Sequence, residues 1–398
     1  MSIYADNAAT TPCLPEVAKA VAAACTIHYG NPSSTHYSLG RQARAIIDDT
    51  RQALAKIIGI ERADEITFTS GATESCNMAI MGVIQRCIKQ RPRIITMDTE
   101  HPAVLQPLSQ LTLAGADVQI AKCEDNGQMD LDHLHSLCNE KTAIVCAMLV
   151  NNETGVIQNL NRIGSIAHDV GALVLCDATQ ALGKVRIDDF QENIDFLALS
   201  AHKCYGPKGV GALWTRRHLS IAPLLSGGGQ ERGRRSGTEN VPGIAGWLAT
   251  LNHMQETRGA YIEKINQLHV LLETTIVDAL PEVIINGRDS PRAPGFTSLT
   301  LPGLRRGWLA QLHGICASGG SSCASGQNKP SRVLETYGRS REDAANSLRL
   351  SLGIYNTDEE VTEIAERVVA GARRLKDSVA REAPCSQLMG VCEQVGDL

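Results

Sequence analysis

The feature that most constrains the fold is an alternation of short apolar runs with helical stretches in the middle of the chain. Each run has the length of a buried strand, and the runs lie at residues 93–97, 118–121, 143–150, 172–176, 196–199 and 211–214. Helical periodicity separates them, as at residues 160–170. Strands that alternate with helices predict a mostly parallel sheet covered by helices.

Polar residues follow three of these runs. Asn152, Asp177 and Lys203 each stand at the carboxyl end of a predicted strand. Because open α/β sheets bind their ligands at this edge, we expect the three side chains to contribute to one site.

Lys203 has the sequence surroundings of a reactive amine, since it follows a buried strand and precedes a Gly-Pro turn. Burial disfavours the ammonium form and lowers the pKa of a lysine. The neutral amine can then form a Schiff base with an aldehyde. A single lysine on a loop is more often solvated, so this interpretation depends on other marks of an aldehyde cofactor.

Two such marks are present. Asp177 can hold a proton on the ring nitrogen of pyridoxal phosphate, which lets the ring act as an electron sink. Residues 67–69 form a predicted strand that leads through Gly71, Ala72 and Thr73 into a helical pattern, and free amides at a helix start bind phosphate. An ordinary capped helix has the same local sequence, so this turn is a weak signal by itself.

Ordered segments along the chain resemble those of the cysteine desulfurases, which are pyridoxal-phosphate enzymes of the aspartate-aminotransferase fold. The matching segments are residues 6–12, 30–34, 69–75, 100–101, 150–156, 177–180, 202–203, 205–209, 227–231, 235–238, 319–323 and 348–353, with Cys204 as a departure from the family pattern. Cys323 ends the sequence Gly-Gly-Ser-Ser-Cys, which resembles the Gly-Ser-Ala-Cys pattern of the group I (NifS/IscS-like) branch.

The resemblance implies an α/β protein of PLP fold type I, with a mostly parallel seven-stranded sheet in a large domain and a smaller α+β domain. The expected large domain spans residues 14–259. Residues 1–13 and 260–380 form the expected small domain, which carries the cysteine loop. A final helix is expected at 361–379, and the C-terminal tail over residues 381–398 contains the breaker Ala383-Pro384.

The resemblance also implies the catalytic roles. Lys203 carries the cofactor and removes a proton from the substrate, and His101 stacks on the cofactor ring and acts as acid and base. Cys323 is the nucleophile that takes the sulfur. From the residues alone, His101 could be an ordinary loop histidine and Cys323 a free surface cysteine.

A larger set of residues is implied to bind the cofactor or the substrate. The cofactor-binding residues are Ala72, Thr73, His101, Asn152, Asp177, Gln180, Ser200, His202, Lys203 and Thr238, the last acting on the phosphate of the neighbouring subunit in a homodimer. Asn31 and Arg349 hold the substrate carboxylate, which suits the two-pronged arginine fork. Alternatively, Asn31 shapes the turn at Gly30–Pro32, and Arg349 pairs with a surface acid.

The implied activity is that of an L-cysteine desulfurase, which yields L-alanine and a persulfide on Cys323. The persulfide supplies iron–sulfur cluster assembly or thiolation. The alternatives are a selenocysteine lyase and a class V aminotransferase. The sulfur acceptor stays open among an iron–sulfur scaffold, a tRNA thiolation enzyme, a rhodanese and a DNA-sulfur-modifying system. Exposed apolar residues in 385–398 favour docking of a scaffold there, although chain ends are often frayed.

Composition agrees with an enzyme that acts on a small molecule. The net charge of −5 and the pI near 6.1 favour neither nucleic acid nor a membrane surface as a partner. No apolar stretch approaches the roughly 20 residues of a membrane span. The first motif starts at Asp6, which leaves no room for a targeting segment, so we expect the cytoplasm.

The cysteines do not suggest a metal site. The thirteen cysteines include no Cys-x-x-Cys pair, so no metal is expected. Cys138, Cys146 and Cys176 fall in apolar runs and are predicted to be small core residues. Cys204 directly follows Lys203, where a thiol could compete with the nucleophile unless it only packs.

Overall fold

The computed structural model describes residues 2–188, 191–303, 312–319 and 330–389, with side chains described to residue 376 in the last range. The chain divides into two compact units. The larger unit comprises Asn7–Glu263 and Gly287–Pro294. The smaller unit comprises the described residues of Met1–Asp6, Lys264–Asn286 and Gly295–Leu398.

The elements are numbered along the chain. The strands are β1 Ile3–Tyr4, β2 Ile66–Thr69, β3 Arg93–Met97, β4 Asp117–Ala121, β5 Thr142–Met148, β6 Leu173–Asp177, β7 Phe196–Ser200, β8 Gly211–Thr215, β9 Ile284–Ile285, β10 Phe296–Thr300, β11 Ile315–Cys316, β12 Ser318–Gly319 and β13 Ser347–Ser351. The α-helices are α1 Pro15–Thr26, α2 Ser38–Ile58, α3 Ala72–Cys87, α4 Pro102–Leu113, α5 Leu131–Leu137, α6 Leu160–Asp169, α7 Val241–Ala279, α8 Arg332–Thr336, α9 Arg341–Ala345 and α10 Asp358–Met389.

The larger unit is built on a seven-stranded sheet in the order β2-β8-β7-β6-β5-β3-β4. Strand β8 is antiparallel to both of its neighbours, and the remaining pairs are parallel. The predicted fold is therefore confirmed, including the seven strands. Because β5, β6 and β7 are adjacent and parallel, their carboxyl ends share one edge of the sheet.

Apolar side chains of α3 and α4 hold one face of this sheet. Met78 and Ile80 of α3 and Leu108 of α4 belong to a buried cluster with Ile144 and Phe196 of the strands. The strands read as continuous apolar runs because β5 and β7 are buried along their whole length.

The smaller unit contains a four-stranded antiparallel sheet, in the order β12-β13-β10-β9, and a parallel pair β1-β11. Its core joins the sheet to α10 and to the second half of α7, through side chains such as Leu272, Leu350 and Ile364. This arrangement confirms the expected α+β character.

Two helices differ from the sequence prediction. An amphipathic pattern with Ile262, Ile265 and Leu268 predicts a helix from about residue 260, whereas helix α7 begins at Val241, about twenty residues earlier. Helix α10 continues past Pro384 to Met389, so the predicted break at Ala383-Pro384 is wrong. A proline removes one amide donor, which a long helix can lose without ending. No helix in the described part of the chain is long and apolar enough to cross a membrane.

Candidate active site

Asp177 is held at the carboxyl end of the central strand β6. Its neighbours in register are Met148 of β5 and Ala198 of β7. The side chain is 6% exposed, and Oδ1 accepts hydrogen bonds from the amide and the hydroxyl of Thr179. Two donors to one oxygen fix the direction of the carboxylate.

Lys203 lies just beyond β7, in the 3₁₀ turn Ala201–Lys203. Its Nζ donates to the carbonyl oxygens of Ala8 and Ala9, each at 2.7 Å. The half-buried lysine is thus oriented by backbone groups near the start of the chain. The sequence motif 6–12 marked this segment, but nothing in it indicated that its carbonyl groups would hold the lysine.

Thr11 joins the same N-terminal segment to residues around Lys203 through hydrogen bonds. The Thr11 amide donates to the carbonyl of His202 at 3.0 Å, and the Tyr205 amide donates to Thr11 Oγ1 at 2.7 Å. Tyr205 has a positive φ of 69°, which is uncommon for a bulky residue. The positive φ lets the chain turn sharply after Lys203.

Gln180 is buried in the turn that follows β6. Its Nε2 donates to the Ala8 carbonyl at 2.8 Å, so Gln180 and Lys203 share this acceptor. On its other side Oε1 accepts from Lys184 Nζ at 3.3 Å. Lys184 is buried as well, at 7% exposure, and the sequence prediction missed it.

Burial lowers the pKa of Lys184 to about 8, and the positive charge of Lys203 acts in the same direction. Besides Gln180, Nζ donates to the backbone oxygen of Lys203 at 3.0 Å. A lysine four residues after Gln180 is a weak signal in the sequence, because lysines are rarely buried.

His101 caps helix α4. It is the N-cap residue, and its Nδ1 accepts the amide N–H of Ala103 at 3.0 Å. An accepting Nδ1 carries no proton, so the neutral ring has its proton on Nε2. The cap therefore orients the ring and sets its tautomer.

A helix start and a tight sheet contact form a cradle of the type that binds phosphate. Helix α3 begins at Ala72, and its N-cap Gly71 has no side chain to accept the first amides. Gly211 pairs with Thr69 on one side and Ser200 on the other. A Cβ on Gly211 would stand 2.6 Å from Gly71 Cα, so only glycine lets the strand approach the helix start.

Three further predicted phosphate ligands surround this cradle. Thr73 is exposed on the first turn of α3, and Ser200 is buried at the end of β7. His202 shares a hydrogen bond with Thr10 Oγ1 at 3.1 Å. Burial, aided by the positive charge of Lys203, lowers the pKa of His202 to about 4, so its ring is neutral at pH 7.

Thr238 is exposed and lines a cavity of about 210 Å³ with Thr69, Ser70 and Arg235. Glu74 of α3 connects these elements, because it accepts from the Ser70 amide and pairs with Arg235 at 2.8 Å. Thr238 therefore lies on a segment that the Arg235–Glu74 pair connects to the start of α3.

Asn152 and Asn31 lie on turns that asparagine side chains organise. Asn151 Oδ1 accepts the amides of Glu153 and Thr154, and Asn152 lies half-buried inside that turn. Asn31 is exposed, and its Oδ1 accepts the amide of Ser33 at 2.9 Å. Asn31 thus shapes its own turn, as one sequence alternative proposed.

Arg349 belongs to the smaller unit, where it lies on β13 between Ser298 and Ser318 of the flanking strands. It is 1% exposed, and Nη2 donates to Asp6 Oδ1 at 2.8 Å. Asp6 Oδ2 accepts from Ser318 Oγ at 2.7 Å. Arg349 therefore pairs with an acid, as one sequence alternative proposed, and that acid is the partly exposed Asp6.

Cys323 lies outside the described residues. Cys204 is 2% exposed, and its Sγ donates to the Ala201 carbonyl at 3.2 Å. Burial raises the pKa of Cys204 to about 12, so it is a thiol and a poor nucleophile at neutral pH. Cys146 and Cys176 are fully buried in the sheet as predicted, and Cys138 is half-buried.

The larger unit fits pyridoxal 5′-phosphate. A carboxylate at a strand end, a lysine at the next strand end and a glycine-lined helix start match the ring nitrogen, the aldehyde and the phosphate of that molecule. Among the described residues, no group of three His, Cys, Asp or Glu could hold a metal ion.

Comparison with known proteins identifies the family. The aminotransferase class-V family model matches residues 3–364. A cysteine desulfurase of Trichormus azollae is 39% identical over 94% of each chain, and the cysteine desulfurase IscS of Rickettsia bellii is 37% identical over 95% of this chain and 92% of its own. A solved structure of a NifS-like protein has a TM-score of 0.85 and 33% identity, over 93% of this chain and 99% of that one.

The chain therefore belongs to the class-V aminotransferase family. Within it, the relatives place the chain with the cysteine desulfurases of the IscS/NifS type, which confirms the family inferred from the sequence motifs. The names of the relatives favour a cysteine desulfurase over a selenocysteine lyase or an aminotransferase.

Proposed function

We propose that this cysteine desulfurase binds pyridoxal 5′-phosphate through Lys203 and removes sulfur from L-cysteine. One observation carries the proposal. Asp177 ends strand β6 and Lys203 follows the adjacent parallel strand β7, at the edge of the sheet where Gln180 and the start of α3 also lie. The relatives' names supply the substrate and the reaction.

The cofactor would be held by residues of the larger unit. Asp177 would keep a proton on the ring nitrogen, Asn152 would donate to the phenolic oxygen, and Gln180 would lie near that oxygen or near the link to Lys203. The amide of Ala72 and the side chains of Thr73, Ser200 and His202 would bind the phosphate. When bound, pyridoxal phosphate supplies an aldehyde that links to an amine and a ring that takes up an electron pair.

Lys203 and His101 then move protons. The Lys203 amine takes the proton from Cα of cysteine. His101 exchanges a proton with the substrate at Nε2, because Nδ1 is occupied by the Ala103 amide. The hydrogen bond from the Ala103 amide orients the His101 ring and so keeps Nε2 in one position between turnovers.

The sulfur is transferred to Cys323. Its thiolate attacks the substrate sulfur and forms an S–S bond, while the carbon–sulfur bond breaks and its electron pair passes to the carbon. That carbon takes up a proton, Lys203 returns a proton to Cα, and L-alanine leaves. Cys204 does not compete, because its thiol is buried and its pKa is raised to about 12.

Arg349 and Asn31 are proposed to bind the carboxylate of cysteine. Asp6 already holds Nη2 of Arg349 and thereby orients the guanidinium plane. A planar group that is held at one end loses little freedom when it binds a second carboxylate.

We also propose a homodimer in the cytoplasm, with Thr238 bound to the partner's phosphate. Exposure of Thr238 beside a cavity supports a contact from outside the protomer. The persulfide is proposed to donate its sulfur to an iron–sulfur scaffold, because one relative is an IscS.

Residues 385–398 are the proposed docking segment for this scaffold, of which 390–398 lie outside the described residues. Deleting 385–398 should impair sulfur transfer to a scaffold and leave thiol-driven sulfide release intact.

The decisive experiment compares two cysteine variants. Cys323→Ser should keep the cofactor band and lose persulfide and sulfide production, whereas Cys204→Ser should keep both. Persulfide is detected by alkylation and peptide mass spectrometry after incubation with cysteine. If Cys323→Ser still produced sulfide at the wild-type rate, the assigned nucleophile would be wrong.

A further inference from the structure

Lys184 is a buried lysine that the proposed reaction does not use. It ends the turn that follows Gln180, and the turn brings its side chain inward. Gly183 has a φ of 81°, and a Cβ there would stand 2.9 Å from Cε of Met254. A glycine is therefore required for the turn that places Lys184.

Lys184 closes a ring of hydrogen bonds around the proposed cofactor lysine. Its Nζ donates to Gln180 Oε1 at 3.3 Å and to the backbone oxygen of Lys203 at 3.0 Å. Gln180 Nε2 and Lys203 Nζ both donate to the Ala8 carbonyl, at 2.8 and 2.7 Å. Four residues are thus joined, and both lysines belong to the ring.

From this ring we propose that Lys184 is a positioning residue, which fixes the amide of Gln180 and the backbone of Lys203 for catalysis. The proposal rests on the assignment of Lys203 as the cofactor-bearing residue. Lys184 acts through its neighbours, and no contact with the substrate or the cofactor is assigned to it.

The chemistry of an amide explains why Gln180 needs such a partner. The oxygen and nitrogen ends of a glutamine have nearly the same shape, and only hydrogen bonds decide which way it points. A lysine has donors only, so it selects the oxygen end of Gln180. The nitrogen end is then directed towards Ala8, where it presents N–H donors beside Lys203.

Packing alone does not explain a lysine at this position. A methionine of the same length fills the space without taking a charge out of water, which is unfavourable in a protein interior. The lowered pKa of Lys184 reflects that unfavourable burial. Unlike a methionine, the lysine donates hydrogen bonds to two acceptors, Gln180 Oε1 and the Lys203 carbonyl.

The test uses two neutral variants that differ in donors. Lys184→Met removes the donors, and Lys184→Gln keeps N–H donors on a shorter side chain. For Lys184→Met we expect a kcat about tenfold lower, the size of one lost hydrogen bond, with KM for cysteine within about twofold. The visible absorption maximum of the lysine-linked cofactor should also shift. Lys184→Gln should keep more of kcat and a band closer to wild type.

A double variant tests whether the effect passes through Gln180. In a Gln180→Met background, Lys184→Met should change kcat and the absorption band by less than about twofold, because coupled residues are not additive. Lys89→Met, at an exposed lysine, controls for the lost charge and should change neither.

Three outcomes would overturn the proposal. These are an unchanged band and kcat in Lys184→Met, equal losses in the Met and Gln variants, and full additivity with Gln180→Met. Borohydride reduction and peptide mapping of the same preparations separate this failure from failure of the proposed function. If the reduced cofactor were attached to a lysine other than Lys203, the assigned cofactor site would be wrong whatever Lys184 did.

Discussion

The two units each orient a cation with partners from the N-terminal segment, but they do so differently. In the larger unit, Lys203 donates to the neutral carbonyls of Ala8 and Ala9. In the smaller unit, Arg349 donates to the carboxylate of Asp6. Asp6 and Ala8 are only two residues apart in sequence.

The neutral partners of Lys203 and the charged partner of Arg349 suit the different roles proposed for the two residues. Hydrogen bonds between charged partners are about twice as strong as neutral ones, so Asp6 fixes Arg349 firmly. A guanidinium keeps its proton throughout, which suits binding of a carboxylate. An amine held by neutral carbonyls can exchange hydrogen-bond partners more readily than one held by a carboxylate, which suits a group that must form and break bonds.

The largest expected effect tests the chemical role of Lys203. Lys203→Ala should lower desulfurase activity about 1000-fold or more, because it removes both the cofactor link and the base. The visible band of the lysine-linked cofactor should disappear, as measured by absorption spectroscopy. Lys208→Ala is the neighbouring control and should keep the band. If Lys203→Ala retained the band, Lys203 would not carry the cofactor, and the contrast between Lys203 and Arg349 would not hold.

The next effect tests the binding role of Arg349. Arg349→Ala should mainly raise KM for cysteine, by about 30- to 1000-fold, since a charge-assisted pair contributes roughly 2–4 kcal/mol. Steady-state kinetics separate KM from kcat. Asp6→Asn should have a smaller effect on KM and should lower the melting temperature, because it weakens one end of a buried pair. An unchanged KM in Arg349→Ala would remove Arg349 from substrate binding.

The smallest effect concerns His202 and pH. Its pKa is about 4 in the folded protein and 6.5 in an unfolded chain, so the unfolded state binds more protons between these values. Stability should therefore fall as the pH is lowered from about 6.5 to about 4. A bound phosphate should oppose this, because its negative charge raises the pKa of His202 by about one unit or more.

NMR titration of the cofactor-free and the loaded protein measures this shift. Equal pKa values of His202 in the two forms would place the phosphate away from His202. A higher pKa of His202 in the loaded protein would show that the bound phosphate acts on His202. It would thereby support the phosphate site in the larger unit.

Much of the fold could be predicted from local patterns. The apolar runs predicted β3 to β8 to within a few residues, because buried parallel strands need continuous apolar sequence. Asp177 and Lys203 were identifiable for the same reason, as polar residues directly after such runs. Helix ends were less predictable. Helix α7 begins before its amphipathic pattern, since its first turns are buried among the residues of the larger unit.

The class of fold, the strand-end residues and, through the ordered motifs, the family can all be recognised in the sequence. These features depend on neighbours along the chain, where periodicity and residue type suffice. The folded chain was needed to see that Ala8 and Ala9 hold Lys203, that Asp6 holds Arg349, and that Lys184 is buried against Gln180. Those contacts join residues far apart in the chain or depend on the direction of a turn, and hydrogen bonds to backbone carbonyls leave no mark in side-chain chemistry.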